Sequence, residues 1–101
     1  MSKVNFNIQY EINRDKREEY LNIIREIKNL LKFEGLESYK VFEVKGKPNN
    51  FHEVYTFISN EAYENFDDDQ NERLNILINK LNELTVDNST KYTTLLEVDN
   101  I

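Results

Sequence analysis

The chain has 101 residues, of which 19 are acidic and 13 basic, for a net charge of −6. That length fits one domain with one core, able to bury roughly two thirds of its unfolded surface. The acid excess excludes a nucleic-acid reader, which needs clustered Lys and Arg to displace counterions; the lack of cysteine excludes disulfides, thiolate nucleophiles and Cys-based zinc or iron–sulfur sites.

The one basic cluster, Arg14, Lys16 and Arg17, is interleaved with Asp15, Glu18 and Glu19 and reads as a solvated helix start. MSKVNFNIQY carries no apolar run of signal-peptide length, and no stretch approaches a membrane span. The expectation is a cytoplasmic protein with no membrane partner.

Positions 4–12 alternate: Val4, Phe6, Ile8, Tyr10 and Ile12 point one way, Asn5, Asn7, Gln9 and Glu11 the other. Period two over nine residues is a strand with one apolar face. Asn13 or Asp15 is the expected cap of a helix over residues 15–33, with Glu18 completing a capping box after Asp15. Tyr20, Ile23, Ile24, Ile27, Leu30 and Leu31 supply its apolar stripe, and Gly35 stops it. A second strand is expected over 39–44. The turn formers Gly46, Pro48, Asn49 and Asn50 lead back into a third strand holding Val54, Tyr55, Phe57 and Ile58, as an antiparallel hairpin. Ser59 caps a short helix over 60–66. Leu74, Leu77, Ile78, Leu81 and Leu84 form the face of another, and residues 92–98 close the chain as a strand.

The order βαββαβ gives an α+β, ferredoxin-like fold over residues 1–101, a four-stranded antiparallel sheet with its helices on one face. Strands three and four are apolar on both faces, with Val54 and Ile58 opposed to Tyr55 and Phe57, and Leu95 opposed to Leu96 and Val98. A sheet apolar on both sides calls for a cover that this chain does not supply, so a homodimer through the sheet face is expected. Asn5, Asn7 and Gln9 on that face either hydrogen-bond across the dimer or orient a ligand.

Few residues offer chemistry. His52 is the lone histidine, open to two readings, a surface residue of the hairpin or a general base. No multi-histidine metal site can form. Asp67, Asp68 and Asp69 lack further ligands at cation-loop spacing and read as a helix start capped by Asp69, so no metal is expected. GxGxxG, P-loop and GxSxG patterns are absent. Six Tyr and six Phe remain. Most must be core, and some are available to line a pocket between sheet and helices where a flat apolar ligand stacks.

The stretch Phe57-Ile58-Ser59-Asn60-Glu61-Ala62-Tyr63 resembles the aromatic-x-Ser-x-x-Ala-aromatic segment of antibiotic-biosynthesis-monooxygenase-like domains, which are dimeric α+β barrels. Glu34-Gly35-Leu36 is similar to that family's turn into strand two. The resemblance implies a cofactor-free monooxygenase-like protein acting on, or binding, a small aromatic or quinone-type ligand. Tyr55, Phe57, Tyr63 and Phe66 would contact the ligand, and Asn7 or His52 would assist proton removal. The alternative is a non-catalytic ligand-binding or dimerisation module. The haem-degrading branch is excluded, because Phe66 stands where its Trp would be and Ile76 where its His would be.

Overall fold

The computed structural model describes residues 2–66, 71–99 and 101. Its elements in chain order are β1 (Val4–Glu11), a 3-10 turn (Arg14–Lys16), α1 (Arg17–Leu30), β2 (Leu36–Glu43), β3 (Asn50–Phe57), α2 (Asn60–Asn65), α3 (Glu72–Leu84) and β4 (Lys91–Leu96). The strands form one antiparallel sheet in the order β2-β3-β1-β4, the ferredoxin-like arrangement expected from βαββαβ.

Burial follows the periods read from the sequence. On β3 it alternates without exception: Phe51, Glu53, Tyr55 and Phe57 are buried, while His52, Val54 and Thr56 are half-buried on the other face. On α1, Tyr20, Ile23, Ile24 and Ile27 are buried, and on α3 Leu74, Leu77, Leu81 and Leu84. These two stripes pack with the inner face of the sheet into one core. The Glu26 carboxylate accepts from Nε and Nη2 of Arg73, an exposed two-pronged bond that joins α1 to α3.

The boundaries differ from expectation for local reasons. The helix expected over 15–33 ends at Leu30, because Leu31 leaves helical geometry at ψ 80°. Gly35, at φ +87°, belongs instead to the turn that opens β2, where Leu36 N donates to Phe33 O. Neither Asn13 nor Asp15 caps α1: the first helical turn follows Lys16 without a side-chain cap, and the Asn13 amide donates to Leu84 O, tying β1 to the end of α3. Ser59 does cap α2, accepting from Ala62 N at 3.1 Å. The cap of α3 is Asn71, which accepts from Leu74 N at 2.9 Å; the expected cap Asp69, and the Asp67–Asp69 run as a whole, lie outside the described residues. Ile58 falls beyond β3 and is exposed rather than buried.

β4 is the element the chain covers least. Every residue from Lys91 to Leu96 is exposed, including Tyr92 and Leu96, which the register aligns with the inner-face residues Ile8 and Val4 of β1. Leu95 and, across the sheet on β2, Phe42 are exposed on the outer face. No described helix is long and apolar enough to cross a membrane.

Candidate functional site

A cavity of about 220 Å³ lies between the sheet and the helices. Phe6, Ile8 and Tyr10 of β1 and Glu53 and Tyr55 of β3 form its floor, Ile27 of α1 and Ile78 and Leu81 of α3 its roof, and Phe66 one end. Tyr92 and Asn82, both exposed, border the side where it opens to solvent. The rings are held by one another. Phe6 stacks on Tyr92 at 6.2 Å and tilts against Tyr55 at 5.8 Å, and Tyr55 meets Phe66 at 5.8 Å. Offset and edge-on contacts at these separations suit the ring quadrupoles and fix the walls for a flat guest.

Glu53 is the polar centre of this wall and is 4% exposed. The ladder places it between Ile8 and Val41, both inward-facing, so a carboxyl sits where an aliphatic residue would be ordinary. Such a group persists in a core only when it is hydrogen-bonded. The Tyr39 hydroxyl donates to Glu53 Oε1 at 2.5 Å. Burial pushes the Glu53 pKa up from the usual carboxylate range, and the hydroxyls of Tyr39, Tyr10 and Tyr55 pull it part of the way back. Behind Tyr10 stands Tyr20, fully buried, with the two hydroxyl oxygens 2.7 Å apart and the rings edge to face. Burial also pushes the Tyr10, Tyr20 and Tyr39 hydroxyls well above the ordinary phenol value, so all three stay protonated as donors.

The residues expected at a site divide into three groups. Tyr55 and Phe66 line the cavity. Phe57 and Tyr63 stand behind it: Phe57 is 1% exposed among Tyr55, Tyr63 and Phe66, and the Tyr63 hydroxyl lies 3.2 Å from Thr94 Oγ1. Asn7 and His52 lie on the opposite face of the sheet, where the register sets Asn7 beside Val54 and Thr93, and His52 beside Gln9 and Phe42. They do not reach the cavity. Asn7 Nδ2 is nonetheless buried and has no hydrogen-bond partner among the described residues.

Glu53, Tyr10, Tyr20 and Tyr39 are not among the residues expected at a site, although a signal for Glu53 exists. Read backwards from Phe57, the inward positions are Tyr55, Glu53 and Phe51, so the acid interrupts an otherwise aromatic face. No group of three or more His, Cys, Asp or Glu among the described residues is arranged to hold a metal ion.

No family model matches the chain, and no curated protein sequence matches it. Solved structures do match over nearly the whole length. A conserved protein from Methanosarcina mazei Go1 superposes with a TM-score of 0.78 at 16% identity, covering 94% of this chain and 92% of that one. SnoaB, a cofactor-independent oxygenase from Streptomyces nogalater, solved in a mutant form, gives 0.75 at 9% identity, with 98% and 95% covered. A protein described as an antibiotic biosynthesis monooxygenase gives 0.70 at 20% identity, with 100% and 99% covered. At these identities the likeness establishes the shared fold.

Proposed function

We propose that this chain, which has the fold of the antibiotic-biosynthesis-monooxygenase-like domains, binds a small hydroxylated aromatic in the cavity beneath Phe6, Tyr55 and Phe66 and oxygenates it without a cofactor. The observation that carries this reading is an aromatic-walled cavity with a buried carboxyl in its floor. Its size narrows the guest. About 220 Å³ exceeds the roughly 150 Å³ of an apolar cavity that takes benzene, and falls below the roughly 300–1,000 Å³ of drug-sized sites. A guest of one or two rings suits this volume.

An ionised hydroxyarene is electron-rich enough to reduce dioxygen itself. One oxygen atom replaces a ring C–H hydrogen as a carbonyl, the other leaves as water, and the arenol becomes a quinone. The chain's part is to stack the ring between Phe6, Tyr55 and Phe66 and to exclude water from it.

Oxygen uptake with a panel of one- and two-ring hydroquinones tests this. Turnover is expected, with kcat/KM falling about tenfold in Phe66→Ala, which removes one wall of the stack. Tight binding with no oxygen uptake leaves a non-catalytic ligand-binding module in its place.

A second copy of the chain covers the outer sheet face in this reading. Support comes from Phe42 and Leu95, 54% and 51% exposed there, and from the unpartnered Asn7 Nδ2, which a polar group across a dimer would satisfy. Sedimentation at micromolar concentration should give a dimer; a monomer overturns this point.

A further inference from the structure

We propose that Glu53 is the group that takes the proton from the ligand's hydroxyl, so that the cavity selects aromatics bearing an acidic O–H and holds them as the anion. This deepens the reading above and rests on it for the presence of a ligand.

A carboxylate offers about four lone-pair positions. Among the described residues the Tyr39 hydroxyl donates to one of them, on Oε1, and the Tyr10 and Tyr55 hydroxyls stand near enough to favour the ionised form. Among the described residues, the groups around Glu53 are Tyr10 from β1, Tyr39 from β2 and Tyr55 from β3, with Tyr20 from α1 one hydroxyl further away and Ile78, Leu81 and Asn82 lining the cavity from α3. Among these described residues, no cation balances the carboxylate. Glu53 lines the cavity with acceptor capacity beyond the bond from Tyr39, and a ligand O–H is the complement of such an acceptor.

The transfer itself is a simple exchange. The ligand's O–H bond breaks, a new O–H bond forms on the Glu53 carboxyl, and the electron pair stays on the ligand oxygen and spreads into its ring. With Glu53 ionised, one negative charge is buried before the step and one after it, so no new charge is desolvated. The same burial that makes Glu53 a weaker acid makes it a stronger base than a surface carboxylate. The ligand anion that results is the electron-rich form that reacts with oxygen.

Two probes of one shape test the assignment, 4-nitrophenol, whose absorption reports its ionisation, and its methyl ether 4-nitroanisole. At a pH where the free phenol is neutral, the phenol bound to the wild-type protein is expected to absorb as the phenolate and to bind about tenfold more tightly than the ether. In Glu53→Gln the bound phenol should absorb as the neutral form and lose that preference, while ether binding is retained. Equal binding of phenol and ether, or a neutral spectrum in the wild-type complex, overturns the role of Glu53 and leaves the cavity as a plain aromatic site. Failure of both probes to bind removes the ligand site, and this inference with it. Should Glu53→Gln fail to fold, the spectrum and the phenol-to-ether ratio of the wild-type protein decide the question alone.

Discussion

Phe57→Ala is expected to cost about 3–5 kcal/mol of stability, the range for deleting a large aromatic side chain from a core. Phe57 is 1% exposed, closes β3 beside Leu36 and Val4 in the ladder, and touches Tyr55, Tyr63 and Phe66 with ring centroids 6.4, 5.5 and 5.3 Å away. The ring closes the end of β3 against Tyr63 of α2 and Phe66 just after it. A domain of this size is stable by only about 5–15 kcal/mol, so the variant should unfold at far lower urea, with its thermal midpoint reduced by more than about 10 °C. Phe66→Ala makes the instructive contrast. Phe66 is half-buried at the end of the cavity, and its loss should weaken ligand handling more than folding. A Phe57→Ala protein that keeps wild-type stability but loses ligand binding would restore Phe57 to the ligand-contact role its sequence suggested and remove it from the core.

Gly35→Ala comes next in size. Gly35 has φ +87°, and a Cβ there would lie 2.6 Å from the Cβ of Ala62, on α2. Left-handed backbone costs an L residue roughly 1–2 kcal/mol, and forcing apart a packed contact costs about 1–3 kcal/mol more. Two effects are mixed in that total, and Gly46 separates them. It has nearly the same φ, +83°, with nothing within 4 Å of its would-be Cβ, so Gly46→Ala should show the backbone cost alone. Urea titration of both variants reads the difference. Equal losses would mean that α2 yields freely, and that the close approach of α2 to the turn before β2 carries no energy.

The fit of α2 to this turn bears on the cavity. Ser59 caps α2, Ala62 lies against Gly35, and the chain then runs through Tyr63 to Phe66, which seals one end of the site. The FISNEAY segment that resembles the monooxygenase-like family thus positions a wall of the cavity, through a cap and a close contact, without its own side chains reaching the space inside.

Local chemistry made the fold legible. Strict alternation in β1, the 3.6-residue stripes of α1 and α3, the glycine and asparagine turn before β3 and the Ser59 cap each follow from rules that act over a few residues. Ends were less legible. Leu31 leaves the helix although its apolar side chain continues the stripe, and Asn13 gives its amide to Leu84 O rather than to a helix terminus, a partner 71 residues away.

The candidate site divides along the same line. Composition alone determined that no chemistry here rests on a thiolate or on a cluster of histidines, since there is no cysteine and one histidine. Alternation alone put Tyr55 and Phe57 on one face of β3 and Val54 on the other; the strand register then set Asn7 beside Val54, away from Tyr55. What only the tertiary structure decided is that Tyr10, Tyr20, Tyr39 and Tyr55, drawn from four elements, converge near one buried acid, while His52, its neighbour in sequence, faces away. The reason is physical. A lone Glu in a strand is ordinarily solvated, and it becomes tolerable in a core only when donors from distant parts of the chain arrive around it, which no local pattern encodes.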